Sequence, residues 1–171
     1  MLRVDLRALH EGPIEITGVV AADDPLLDDL EFDLAEPVRV RGRLTDSGPG
    51  RYYWHGELGT EVAARCRRCL ADVPVEISAD VRVLFTDDSG ADDPAAYIIE
   101  PRATELDLGE MVREELILAV PEFVLCREEC RGLCPRCGKD LNEGPCTCRP
   151  ELDPRWAALE ELKQRWSKKK E

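Results

Sequence analysis

The residues of this 171-residue chain best suited to chemistry are its eight cysteines. Cys66-Arg67-Arg68-Cys69 stands alone in the middle of the chain, and Cys126, Cys130, Cys134, Cys137, Cys146 and Cys148 follow near its end. Two thiolates separated by two residues reach two corners of a tetrahedron around one zinc ion, so the first pair needs two more ligands from elsewhere. Cys134-Pro135-Arg136-Cys137-Gly138-Lys139 is a zinc-knuckle pattern, in which Gly138 permits the tight turn that brings backbone amides to the sulfurs. Cys146 and Cys148 close that site after a short loop, which assigns Cys126 and Cys130 to the distant Cys66 and Cys69. A pair separated by one residue strains to serve one ion, so a mixed arrangement with Cys126 or Cys130 in the knuckle site stays open. Eight thiols in two sets of four predict two Zn2+ ions.

Other uses of the same residues fit less well. Disulfides do not persist in a reducing compartment, and the chain is not a small secreted scaffold. A dithiol redox site needs Cys-x-x-Cys at the start of a helix after a strand, whereas both flanks of Cys66 and Cys69 read as strands. A nucleobase deaminase needs His-x-Glu with Pro-Cys-x-x-Cys. His55-Gly56-Glu57 supplies the first half, but Arg65 precedes Cys66, Leu133 precedes Cys134, and only Thr147 separates Cys146 from Cys148. His10 and His55 are the only imidazoles, and no phosphate loop, Ser/His/Asp set or carboxylate pair stands out. Four thiolates per ion also leave no open position for an activated water. The chain is read as a non-enzyme with no small-molecule substrate.

The elements that must position these cysteines are mostly strands. From Leu2 to about Thr86 the apolar residues recur with a period of two, as in residues 38–44 and 73–83, which predicts half-buried antiparallel strands. Cys66 and Cys69 then fall on the turn of a hairpin. Turn-forming runs lie at 23–25 and 46–50, and residues 87–94 are polar enough for a solvated loop. Asp107 and Glu110 have capping-box spacing, and Leu108, Met111, Val112, Leu116 and Ala119 share one face of a helix over 108–120 that Pro121 ends and that covers the sheet. Asp153 and Pro154 start a second helix to about 167 with an apolar stripe of Trp156, Leu159, Leu162 and Trp166, of which Trp156 and Trp166 are read as packed on the core rather than stacked on bases. The fold class is α+β: a mainly antiparallel β domain over 1–125 with a covering helix, then a cysteine-rich zinc lobe and terminal helix over 126–171.

Charge limits the partners. The formal net charge is −13, which opposes broad binding to nucleic acid. It is uneven: residues 1–125 hold 12 Lys and Arg against 27 Asp and Glu, whereas residues 126–171 hold 11 against 9. Any RNA contact is therefore expected in the C-terminal quarter, through Arg131, Arg136, Lys139, Lys168, Lys169 and Lys170. Arg65, Arg67, Arg68, Arg131, Arg136 and Lys139 also crowd the cysteines. Offsetting the charge of four thiolates on a zinc ion explains them more simply than a grip on phosphate does. There is no apolar run of about 18 residues and no secretory leader pattern, so the protein is expected in the cytoplasm with no membrane partner.

The assembled motifs, Cys66-Arg67-Arg68-Cys69-Leu70, the Asp107-Leu108 helix ending in Ala119-Val120-Pro121, and the cluster from Cys126 to Asn142, resemble the YceD family over nearly the whole chain. The resemblance implies a bacterial factor for accumulation or maturation of large-subunit (23S) ribosomal RNA, acting in ribosome biogenesis with no known reaction. Its expected partner is a ribosome-assembly protein or a precursor large-subunit particle. It also implies that Cys134, Cys137, Cys146 and Cys148 form a dispensable lobe, while the first pair belongs to the common core. The competing readings are a zinc-stabilised adaptor for a non-ribosomal protein and a thiol redox enzyme.

Overall fold

In the computed structural model the described residues are 2–89, 93, 95–148, 154–156, 159 and 162. The alternating segments form strands β1 (Arg3–Asp5), β2 (Ile14–Val20), β3 (Asp33–Leu34), β4 (Val38–Asp46), β5 (Arg51–Arg65), β6 (Asp72–Thr86), β7 (Tyr97–Ile98) and β8 (Glu105–Asp107), followed by helix α1 (Gly109–Ala119). The main sheet runs β2-β4-β5-β6-β7, with the short β3 on the far end of β5. All its pairings are antiparallel except β6 with β7. Strands β1 and β8 form a separate two-stranded ladder.

The period of two places Val38, Val40 and Leu44 of β4, Trp54, Leu58 and Val62 of β5, and Ile77, Val81 and Val83 of β6 on one buried face. Helix α1 covers that face with Met111, Val112 and Leu116, joined by the preceding Leu108, each no more than 1% exposed. The expected α+β class and the covering helix are what the chain adopts. Arg113 ties the helix to the 26–28 loop by donating from Nη1 to the carbonyls of Leu26 and Asp28 at 2.7 and 2.6 Å.

Three local expectations are corrected. Residues Leu6–Glu11 form a 3₁₀ turn, not a strand. The Asp5 carboxylate accepts the Arg7 N–H at 2.9 Å, and the turn then buries Leu6 and Leu9, three apart, on one side. At the start of α1, Leu108 takes the capping position and is drawn into the core, its N–H bonded to the Leu2 carbonyl. Asp107 therefore caps from one residue further out, accepting the Gly109 N–H at 2.9 Å, and no capping box with Glu110 forms. Toward the C-terminus Pro154–Trp156 form a 3₁₀ turn and Leu159 and Leu162 are helical. Trp156 is exposed rather than packed on the core, and Leu159 and Leu162 are exposed with it. The rest of the expected 154–167 helix, including Trp166, and residues 90–92 and 94 of the acidic loop lie outside the described residues.

Candidate metal centres

Strands β5 and β6 pair over their full length, from Arg51 opposite Thr86 to Arg65 opposite Asp72, so the chain reverses over residues 66–71. The reversal is a knuckle: the Cys66 N–H reaches the Ala71 carbonyl at 2.8 Å and the Leu70 N–H reaches the Cys66 carbonyl at 2.9 Å. The same two bonds recur downstream, Cys134 N–H to Lys139 carbonyl at 2.8 Å and Gly138 N–H to Cys134 carbonyl at 2.9 Å. Each knuckle requires a left-handed residue after its second cysteine. Gly138 supplies it downstream with φ +71°, whereas upstream the residue is Leu70 with φ +61°. Leu70 pays for that backbone with about 1 kcal/mol, and its side chain is 60% exposed, so packing returns little.

The eight cysteines gather in two quartets, Cys66, Cys69, Cys126 and Cys130, and Cys134, Cys137, Cys146 and Cys148. Within each, all four sulfurs lie within 4.8 Å of one another. This is the grouping that the spacing favours, and the mixed arrangement is not the one adopted. The pair Cys146-Thr147-Cys148 does enter one quartet.

The donor sets fit a tetrahedral dication. Zinc–sulfur bonds of about 2.3 Å put the corners of a tetrahedron roughly 3.8 Å apart. Cys66 and Cys130 sulfurs are 3.8 Å apart, Cys69 and Cys126 3.6 Å, and Cys134 and Cys146 3.4 Å. All eight cysteines are free thiols. Their acidities diverge within each quartet. Backbone N–H groups of Cys126 and then Cys69 draw the Cys66 thiol down to about 6. Desolvation, followed by the neighbouring Cys130 sulfur, pushes Cys126 up to about 12. Cys134 is drawn down to about 6 by the N–H groups of Cys137 and Arg136, and Cys148 is pushed up to about 12, first by Cys137. Four sulfurs this close cannot all carry charge without a cation among them; the downstream knuckle turns its own amides on Cys134, whereas Cys66 is served first by the Cys126 N–H from the second segment and then by the Cys69 amide of its own knuckle.

Arginines fix the first quartet to the rest of the chain. The Arg67 N–H reaches the Val124 carbonyl at 2.9 Å and its Nε donates to the Glu122 carbonyl at 2.9 Å, while the guanidinium lies 5.0 Å from the Phe123 ring centre. Arg68 Nη1 donates to the Cys130 carbonyl at 2.9 Å and the Glu128 carbonyl at 3.2 Å. Position in the sequence alone suggests charge offset or phosphate binding for these side chains. In the structure they also donate to carbonyls of the segment that delivers Cys126 and Cys130.

The second quartet hangs from the first. The Arg68 carbonyl accepts the Leu133 N–H at 2.9 Å, and Asn142 Nδ2 lies 3.5 Å from the Cys130 sulfur while its Oδ1 accepts the Arg131 N–H. Gly132 makes the approach possible: at φ +71° a Cβ there would sit 2.7 Å from the Arg68 carbonyl oxygen. Gly132→Ala is expected to cost about 2 kcal/mol through the strained backbone and the displaced carbonyl. A melting point lowered by about 4–8 °C would register it; an unchanged melting point would contradict this account of the junction.

Arg131, Arg136 and Lys139 are exposed on this lobe. Lys139 is committed to the fold, its Nζ donating to the Pro145 carbonyl at 3.0 Å. Lys168, Lys169 and Lys170 lie outside the described residues. His55 sits in β5 on the exposed face with Nε2 3.5 Å from Asp80, far in register from the cysteine turn, which leaves no deaminase arrangement among the described residues. Sequence reading missed Asn142 beside Cys130 and the left-handed Leu70. The first has only the Asp140-Leu141-Asn142 turn signal, and the second follows from aligning the two knuckles.

A one-sided, mainly antiparallel sheet with two cysteine quartets at one end defines a small cysteine-cluster protein. The chain belongs to the YceD family: residues 54–163, more than half its length and spanning all eight cysteines, match the family described as large ribosomal RNA subunit accumulation protein YceD. It is 34% identical over 134 residues to the uncharacterized protein YlbN of Bacillus subtilis, covering 74% of each chain. An uncharacterized protein of Mycobacterium tuberculosis is 29% identical over 113 residues, 63% of this chain and 53% of that one. A chloroplastic Arabidopsis thaliana protein named large ribosomal RNA subunit accumulation protein YCED homolog 1 is 30% identical over 70 residues, 40% of this chain and 22% of its own. The chain thus spans about half the length of the mycobacterial relatives. No solved structure matches.

Proposed function

We propose that this protein is a non-enzymatic, zinc-stabilised factor that supports accumulation of large-subunit (23S) ribosomal RNA by acting in the bacterial cytoplasm on a ribosome-assembly protein or a precursor large-subunit particle. The observation that carries the reading is that the segment matching the family contains both quartets and the hairpin turn that presents the first. Cys66, Cys69, Cys126 and Cys130 would hold one Zn2+, and Cys134, Cys137, Cys146 and Cys148 a second. Such an ion supplies cross-linking, with no open coordination position for a substrate. The position of Cys66 and Cys69 on a hairpin turn, between two strands rather than at the start of a helix, supports a structural role over thiol redox chemistry. No helix among the described residues is long and apolar enough to cross a membrane. Residues 1–125 are taken as the core domain and 126–171 as an appended lobe. RNA contact, where it occurs, is assigned to Arg131, Arg136, Lys168, Lys169 and Lys170, with Lys139 reserved for the lobe.

Two outcomes follow. Elemental analysis of reduced protein should give two zinc ions per chain, and a ratio near zero, or intact disulfides in cytosolic extract, would contradict the metal assignment. In sucrose gradients the protein should co-sediment with precursor large subunits rather than with free protein, and its absence from those fractions would favour a non-ribosomal partner.

A further inference from the structure

The arginine-clamped segment 122–124 forms one wall of a groove of about 940 Å³ that the assignments above do not use. Its opposite wall is the 29–33 segment leading into β3, and its floor is the end of β5 with the C-terminal turn of α1. The lining is apolar at Phe32, Ile117, Val120 and Val124. Ile117 is 46% exposed, and beside the groove Leu118 and Phe123 are 78% and 74% exposed, so this end of the helix is not covered by the described residues.

The rim is acidic. Asp29, Glu31 and Asp33 stand on one wall and Glu122 on the other, all exposed. None of these carboxylates has an ion pair or hydrogen bond among the described residues, unlike Asp5, Glu15, Glu36, Asp80 and Asp107, each of which holds an arginine. The two cations in the lining are already used. Arg65 lies 3.6 Å from Asp72 across the hairpin, and Arg67 serves the Glu122 carbonyl and the Phe123 ring. An apolar floor under unneutralised carboxylates repels phosphate and selects a cation that carries a hydrophobic side chain.

We propose that this groove is the docking site for a basic polypeptide segment of a partner protein, with Lys or Arg side chains meeting Asp29, Glu31, Asp33 and Glu122 and an apolar residue seated against Phe32 and Ile117. This rests on the assembly reading above and names the chemistry of its protein partner, a class to which highly basic ribosomal proteins belong. Because Arg67 joins the groove wall to the first quartet, the site is formed only when that quartet is intact.

The test uses the full metal-loaded chain with p-benzoylphenylalanine in place of Ile117 and, as probe, purified large-subunit ribosomal proteins, with large-subunit RNA in parallel. Photocrosslinks are expected on Lys- or Arg-rich peptides. Yield should fall about tenfold in Glu31→Lys with Asp33→Lys, fall similarly with added salt, and stay level when the same charge change is made at Glu11 and Glu76. Crosslinks on RNA, on a second copy or on residues 154–171 of the same chain would overturn the proposal, as would an unchanged yield in the double variant or an equal fall in the control. If the double variant co-sediments with precursor subunits as well as the native chain, the groove assignment fails alone. If the native chain crosslinks as expected but neither co-sediments nor affects their RNA, the assembly reading fails and the groove stands.

Discussion

Cys66→Ser is expected to lower the melting point by about 10 °C or more and to release more than one zinc ion, whereas Cys146→Ser releases one and shifts melting by a few degrees. Both remove one thiol from a quartet, so the difference must come from what each quartet joins. The first bridges positions 64 residues apart, Cys66 to Cys130, and the second positions 12 apart, Cys134 to Cys146. Loop closure accounts for about 1.5 kcal/mol of that difference. The larger share lies in burial and dependence. Cys66 is fully buried and Cys130 3% exposed, and the second lobe is attached through the Arg68 carbonyl and the Asn142–Cys130 contact. Losing the first quartet therefore loosens the second, while the reverse leaves the β5–β6 hairpin and its arginine clamps in place. A further loss of roughly 3 kcal/mol, at about 2–4 °C per kcal/mol, brings the shift to the stated size. Equal thermal loss in the two variants would contradict this hierarchy.

Replacing Arg131, Arg136, Lys168, Lys169 and Lys170 together by alanine is expected to remove detectable RNA binding while leaving two zinc ions bound. Residues 1–125 carry 12 basic against 27 acidic side chains and repel phosphate over a screening length of about 8 Å. Native binding should be weak and salt-sensitive, with a slope set by only a few phosphates. Lys139 is left in place because its bond to the Pro145 carbonyl belongs to the lobe. Filter binding across a salt series measures both quantities. An unchanged affinity and slope in the variant would place the RNA contact elsewhere.

The elements were legible where one physical signal dominated. Alternation in β4, β5 and β6 set their buried face, and the apolar spacing from Leu108 to Leu116 set the covering side of α1. The reversal between β5 and β6 put Cys66 and Cys69 on a turn, and the spacings of the other six cysteines then favoured the grouping that the structure holds. Signals failed where tertiary contacts overrode local ones. Leu108 is pulled into the core and displaces the cap by one residue, and β1 pairs with β8 across a separation that no periodicity reports. Arg67 and Arg68 were invisible as clamps because their partners are backbone carbonyls more than 50 residues away. Charge composition alone suggested a phosphate or thiolate role for them.

The same limit applies to the groove beside β3. Its acids, Asp29, Glu31 and Asp33, read in sequence as part of a general negative surface, and they become distinctive only because the fold sets them with Glu122 around one apolar groove. Distance in the chain hides both walls from each other, since Glu122 and Val124 are brought there by Arg67.

The most direct measurement of the central claim is the ratio of large- to small-subunit ribosomal RNA after depletion of the protein, with complementation by the native chain, by Cys66→Ser and by Cys146→Ser. The account predicts that depletion lowers the large-subunit RNA selectively, that the native chain restores it, that Cys66→Ser does not, and that Cys146→Ser restores most of it. An unchanged ratio on depletion, or full restoration by Cys66→Ser, would contradict it.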